Sequence, residues 1–475
     1  MTFFMVSGIA VMAILGIITY AMYEKDPLLA SNKKGISIYF IMLAALILRI
    51  AVAPLYRGHD TDIGCFTAWS EGVYSLGLND LYPTYQAADR LLDYPPGYMY
   101  LLYVVAFFRN LFSIELGSVG YNVLLKMPSM LADVLLGLVI YRFALHKTSN
   151  KMALLFAILC LFNPVTYLNS AWWGQVDSIF ALLILLAFIM LYRKQPVWSA
   201  VIYAAALVVK PQALIAFPVY LWYGADLFLQ KDKKAVKKIL LSVLAGVGAF
   251  FLLILPFTKF NFDMGFGDFL WSLLPVADNF QFKWIIDLYW GTLDSYQFAT
   301  LNAANLYGML NMNWRALKDA TLLGISVEIW SIVFIILTTA LSGLVYFWKK
   351  QSNIFLSGGI LILCTYLFAT KMHERYMFPF LILLLVHAII TRRKSFLWLY
   401  AGFSALLYFN IAHLFALVQD KIYWILERYA YYPLFIIIAI ANMILLGTLL
   451  YCTLTPGKTP VLAKGGIDHG KKKDR

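Results

Sequence analysis

Apolar runs of about 20 residues, separated by short polar segments, recur along almost the whole chain. Each run matches the ~30 Å hydrocarbon core of a bilayer. Within a run the apolar residues are continuous rather than alternating, which predicts helices and argues against a membrane β-barrel. Spans are expected near 3–22, 36–56, 98–116, 121–144, 152–171, 176–192, 197–229, 239–257, 321–347, 353–370, 376–390, 395–417 and 430–453. The pattern therefore predicts an all-α polytopic membrane protein with about 13 transmembrane helices.

Composition agrees with this pattern. Of 475 residues, 62% are hydrophobic and 13% charged, and mean hydropathy is +0.75. Soluble domains run at roughly 25% charged. The net charge of +13 raises nucleic acid as a partner, but the distribution points elsewhere: 24 of the 38 Lys and Arg residues lie in segments 23–35, 142–151, 193–194, 230–238, 349–350, 392–394 and 458–475. Basic residues collect in cytoplasmic loops and attract anionic lipid, so the excess reads as topology. The run 3–22 lacks a basic flank before it and is followed by Lys25, Lys33 and Lys34, as for an uncleaved span whose N-terminus lies outside. The cysteines Cys65, Cys160, Cys364 and Cys452 are scattered, with neither a disulfide framework nor a zinc spacing.

These charges orient the chain. Segments 1–35 form an N-terminal span and cytoplasmic loop, 36–257 a transmembrane module, 321–455 the C-terminal helices and 456–475 a basic cytoplasmic tail. Segments 56–97 and 258–320 are then long extracytoplasmic loops. An even number of crossings must separate them. Either 197–229 crosses once, or it crosses twice around Lys210–Pro211 and 98–116 does not cross at all. No internal repeat of solenoid period is seen, nor a matched pair of broken helices as in transporters with inverted halves.

The first outer loop holds Asp60, Asp62, Glu71, Asp80, Asp89 and Asp93 against Arg57 and Arg90. Within it Ile63, Phe66, Trp69, Val73 and Leu76 form a helical stripe that Gly77 can stop, predicting an amphipathic helix on the membrane surface that begins at Thr61 or Asp62. A carboxylate there is favoured by the helix dipole. Asp60 and Asp62 are consistent with caps of this helix or with catalysis. "YPPGYMYLL" (94–102), beginning at Tyr94, closes the loop. "NPVTYLNSAWWGQVDS" (163–178) brings Gln175 and Asp177, with Asp177 equally suited to helix–helix hydrogen bonding. "VVKPQALIAFP" embeds Lys210 in apolar sequence, and "ATKMHERYMFP" sets Lys371, His373, Glu374 and Arg375 at an outer span end. Charges at membrane depth usually face an internal cavity. Trp172 and Trp173 read as interfacial belt residues.

Acidic groups in one outer loop and cations at neighbouring span ends suit group transfer from a lipid-linked phosphate, with a carboxylate as base and cations on the departing phosphate. The arrangement resembles the GT-C glycosyltransferases, which use polyprenyl-phosphate-linked sugars. It is most similar to the branch containing the second mannosyltransferase of GPI-anchor synthesis and its bacterial relatives. The matching pieces are Gly58, Asp62, Ile63, Phe66 and Trp69 (G-x-x-x-D-I-x-x-F-x-x-W), "YPPGY" at 94–98, "GQVDS" at 174–178, "KPQAL" at 210–214 and "HERYMFP" at 373–379, in the family's order over about 320 residues.

The resemblance implies a GT-C-like helical bundle and inverting transfer of a hexose, mannose favoured, to a lipid-linked glycan, glycolipid or wall polymer at the extracytoplasmic face of a bacterial plasma membrane. It implies Asp62 as general base with Asp60 beside it, and Lys210, His373, Arg375 and Lys371 on the donor phosphate. Glu374, Asp177, Gln175 and Tyr94 would support them. A D-x-D pair can also share a divalent cation, but family members using such donors generally work without metal or other cofactor. A lipid-linked-sugar transporter or flippase, lined by the same charges, is the alternative class, and a non-catalytic glycan-binding scaffold is another.

Overall fold

A computed structural model describes residues 37–231, 233–348, 353–419 and 432–455. The expected span 3–22, its loop 23–35, the basic pair 349–350 and the tail 456–475 lie outside these residues. The protein is an all-α helical bundle; its one sheet, among the described residues, is a hairpin of Thr321–Leu322 with Ile325–Ser326.

Seven described helical segments are long and apolar enough to cross a membrane: Ile38–Leu55, Val119–Leu145, Pro211–Leu229, Ala235–Phe257, Val327–Trp348, Lys394–Phe415 and Pro433–Leu454. An eighth results if Asn150–Leu161 and Pro164–Trp173, bent by 42°, count as one. Four more apolar helices are shorter: Asp177–Tyr192, Pro196–Val209, Ile354–Phe368 and Phe378–Thr391. Ile354–Phe368 and Phe378–Thr391 are buried on nearly every face and form the centre of the bundle. That is where helices apolar all round belong.

The helices that place the site are α1 (Ile38–Val52), α2 (Asp60–Leu76), α3 (Leu78–Ala87), α4 (Pro96–Leu111), α5 (Val119–Leu145) and α6 (Asn150–Leu161). After a π-helical turn, Leu168–Trp173, come α7 (Asp177–Tyr192), α8 (Pro196–Val209), α9 (Pro218–Leu229) and α10 (Ala235–Ile254).

The amphipathic helix of the first loop is α2, starting at Asp60 and stopped by Gly77 at φ +82°. Ile63, Phe66, Trp69 and Val73 are buried as the stripe requires, whereas Leu76 is exposed. The buried face packs on α4, with the Phe66 and Tyr98 rings 5.1 Å apart and Ser70 Oγ donating to the Leu102 carbonyl at 2.9 Å.

The segment 98–116 departs from its apolar appearance. It forms α4, which runs beside α2 rather than through the bundle: Arg109, in its last turn, pairs with Glu71 of α2 at 3.1 Å. The next helix, α5, starts at the same end, where Asn122 and Lys126 reach the carbonyls of Tyr56 and Ala53 at the exit of α1. The segment 197–229 breaks at Lys210, whose backbone is extended (φ −151°, ψ 126°). A residue before proline is driven out of the helical region, and a short 3-10 turn, Pro211–Ala216, then leads into α9.

One expected result follows. In a cysteine-free background, a cysteine at Ser113 should react with a membrane-impermeant maleimide from the same face as one at Asp263, and one at Lys151 from the opposite face. Ser113 labelled from the face opposite Asp263 would mean that α4 crosses.

Candidate active site

Asp62 sits in the first turn of α2, where the helix dipole favours a carboxylate. One oxygen, Oδ2, accepts hydrogen bonds from Trp173 Nε1 at 2.8 Å and Gln175 Nε2 at 2.7 Å, with His59 Nδ1 at 4.0 Å. Among the described residues Oδ1 has no such partner. Two fixed donors therefore orient the carboxylate and leave its second oxygen for another group.

Both donors come from the turn between α6 and α7. It is a π-helical turn closed by Gly174 in the left-handed region (φ +90°, ψ 21°). A Cβ on Gly174 would lie 3.1 Å from Lys126 Cγ and 3.2 Å from Ile63 Cδ1. Gly58, at φ +109°, meets the same turn: a Cβ there would stand 2.5 Å from the Trp173 carbonyl. Two glycines thus let the entry to α2 and the turn approach closely enough for the bonds to Asp62. Lys126 secures the turn by donating to the carbonyls of Trp172 at 2.9 Å, Tyr56 at 2.6 Å and Ala53 at 3.0 Å.

The cations gather beside it. Lys210, at the break between α8 and the 3-10 turn, pairs with Asp177 at the start of α7. Arg375 Nε lies 3.5 Å from Asp177 Oδ2, and Arg375 Nη1 donates to Glu374 at 2.8 Å. Asn169 adds a bond to Asp177 at 3.3 Å. The Arg375 guanidinium also stacks 4.8 Å from the centre of the Trp173 ring. One indole therefore contacts the pinned carboxylate with its N–H and the arginine with its face.

Asp62, Lys210, Arg375, Lys371 and Tyr94 line one cavity of about 340 Å³, together with Cys65, Asp93 and the rings of Phe66, Trp69, Tyr296 and Tyr376. This is within the range of small-ligand sites. Lys371 is tethered to the second outer loop through the Leu293 carbonyl at 3.0 Å and Asp294 at 3.6 Å. Gln175, Asp177 and Glu374 stand behind the wall as partners of the lining groups.

Two expected site residues stand apart. Asp60 is 86% exposed at its side chain and pairs with Arg57 at 3.6 Å, outside the cavity. His373 is half-buried, edge-on to Tyr296 at 4.8 Å and beside Tyr376 at 5.1 Å, and does not line the cavity. Burial, reinforced by Arg375 and Lys210, holds its pKa well below the usual imidazole value, so it is a neutral ring at physiological pH. Burial, with Asp93 and Asp62 nearby, pushes the Cys65 thiol up to about 11. Among the described residues, no group of three or more His, Cys, Asp or Glu could hold a metal ion.

Trp173 corrects its reading as a belt residue. It is 2% exposed and committed to Asp62 and Arg375. Its neighbours Gly174 and Gln175 were the available signal, since a tight glycine turn carries side chains inward rather than to an interface. Sequence reasoning also missed Arg49 and Asp133, a buried pair at 2.7 Å that joins α1 to α5, with Ser170 of the π-helical turn donating to Asp133. No protein-family model matches the chain, and no curated protein matches it in sequence.

Proposed function

We propose that this protein is an inverting glycosyltransferase that moves a hexose, mannose favoured, from a polyprenyl-phosphate-linked sugar to a hydroxyl of a lipid-linked glycan, glycolipid or wall polymer. The observation that carries this reading is the single cavity lined by an oriented carboxylate, Asp62, and by the cations Lys210, Arg375 and Lys371. Asp62 Oδ1 takes the proton of the acceptor hydroxyl as its oxygen bonds to the anomeric carbon. The bond from that carbon to the phosphate oxygen breaks, and its electron pair leaves with polyprenyl phosphate. The cations neutralise the phosphate as it departs. Attack opposite to departure inverts the anomeric centre.

The surroundings support a lipid-linked donor. A second cavity of about 550 Å³, almost wholly apolar, lies between α8, α9 and α10, and Leu214 lines both cavities. A polyprenyl chain there would place its phosphate beside Lys210. Orientation follows from charge: the basic segments 142–151, 193–194 and 230–238 lie inside, which puts the cavity at the extracytoplasmic side of a bacterial plasma membrane. With α4 outside the crossing count and 197–229 counted twice, six crossings separate the two outer loops. Adding 3–22 brings the proposed total to 13. The resemblance to GT-C enzymes, with their loop acids and no metal or cofactor, belongs to the same proposal. Mannose rests on that resemblance alone.

Arg375→Ala tests the donor site. The apparent KM for the polyprenyl-phosphate sugar should rise about tenfold or more, the loss of one charge-assisted hydrogen bond, while the acceptor KM stays near wild type. An unchanged donor dependence in folded protein would remove Arg375 from the phosphate site.

A further inference from the structure

Four carboxyls surround the site, and three are committed. Asp62 is bonded to Trp173 and Gln175, Asp177 is paired with Lys210 and Arg375, and Glu374 is paired with Arg375. Asp93 lines the cavity with Asp62 and makes no side-chain ion pair among the described residues; its carboxyl bonds only to its own backbone N–H.

The segment carrying Asp93 is fixed from three sides. The Leu91 carbonyl accepts from Trp69 Nε1 of α2 at 2.8 Å, the Asp93 carbonyl from Thr292 Oγ1 at 2.8 Å, and the Tyr94 carbonyl from the Tyr82 hydroxyl of α3 at 2.8 Å. Pro95 and Pro96 then restrict the backbone as it enters α4. An irregular stretch tied down at three nearly successive carbonyls is held in place, and it presents a carboxyl bonded only to its own backbone N–H to a cavity walled by Phe66, Trp69, Tyr94 and Tyr296. Pinned polar groups among aromatic walls suit a sugar ring, whose C–H faces pack on the rings and whose hydroxyls need partners.

We propose that Asp93 is a substrate-binding residue that hydrogen-bonds a sugar hydroxyl inside the cavity. This deepens the glycosyl-transfer reading and rests on it. Burial raises the Asp93 pKa, Asp62 raises it further, and Lys210 and Arg375 oppose both. The carboxyl therefore keeps its proton closer to neutrality than a surface aspartate, and can donate to a hydroxyl as well as accept from one.

The test uses the full chain in lipid nanodiscs, with Asp93→Ala and Asp93→Asn beside wild type. Binding of polyprenyl phosphate and of polyprenyl-phosphate-mannose is measured without acceptor, followed by the acceptor KM. If the hydroxyl belongs to the donor, Asp93→Ala weakens the mannose-bearing ligand about tenfold and leaves polyprenyl phosphate unchanged. If it belongs to the acceptor, donor binding is unchanged and the acceptor KM rises about tenfold. In both cases Asp93→Asn recovers part of the loss.

Equal weakening of polyprenyl phosphate and its mannose derivative would mark Asp93 as a structural support and overturn the proposal. So would wild-type values throughout in a wild type that binds and transfers. A wild type that binds neither ligand and transfers nothing would instead remove the glycosyl-transfer reading, and this inference with it.

Discussion

Asp62→Asn is expected to lower sugar transfer by about 10²- to 10⁴-fold, the range that a positioned general base supplies. The substitution keeps the shape of the side chain. Trp173 and Gln175 both donate to the same oxygen of Asp62, so the amide oxygen can occupy that place and still accept from both. The amide nitrogen then stands where Oδ1 stood, and a nitrogen carrying two protons cannot accept another. The fold and the cations that line the cavity are left intact. Unfolding temperature and polyprenyl-phosphate affinity should stay near wild type while turnover collapses. A folded variant with full turnover would remove Asp62 from the role of base.

The second large effect concerns the buried cation. Lys210→Met is expected to destabilise the protein by roughly 1–3 kcal/mol, because the buried Asp177 carboxylate loses its closest cation and keeps only more distant partners. Asp177 would keep only Asn169 at 3.3 Å and Arg375 at 3.5 Å. Removing the second charge as well, in Lys210→Met/Asp177→Asn, should restore more than half of the lost unfolding temperature, since a neutral amide is far less costly to bury than a carboxylate that has lost its closest cation. Donor affinity should not return, because the phosphate still lacks its cation. The double variant therefore separates the structural from the functional part of Lys210. Restored donor binding in the double variant would assign Lys210 to the fold alone.

Much of the architecture was legible as pattern. The long apolar runs became helices because backbone groups in lipid must bond within their own segment, and Lys210–Pro211 broke the helix for the steric reason that proline always supplies. The stripe from Ile63 to Val73 found its buried face. What composition could not say is what surrounds an apolar helix. The segment 98–116 reads as a crossing run, yet α4 packs one face on α2 and returns to the end where α1 exits, which its contacts with Glu71 and Ser70 and the start of α5 reveal.

The site divides along the same line. Asp62 was legible because a carboxylate in a first turn, following Gly58, has a local signature. Lys210, Asp177 and Arg375 were named singly, but their convergence is a property of three chain breaks meeting at one end of the bundle. Trp173 and Gln175 reach Asp62 across more than a hundred positions, and Arg49 finds Asp133 across 84. Side-chain direction at that separation is set by packing rather than by sequence spacing. Asp60 shows the converse: it is two residues from Asp62 and carries the same charge, yet the helical turn between them, about 200°, points it to the outside. Asp93 looked like one loop acid among six, until its neighbours' carbonyls showed how firmly it is held.

The central claim, transfer of a sugar from a polyprenyl-phosphate donor by Asp62, is tested most directly by radiolabelled transfer. Purified wild type and Asp62→Asn would each be given a panel of synthetic polyprenyl-phosphate sugars and a crude membrane acceptor extract. The account predicts labelled product from at least one donor with the wild type and none above background with Asp62→Asn. No transfer from any donor, by protein that still binds polyprenyl phosphate, would contradict it and favour a protein that moves lipid-linked sugars across the membrane.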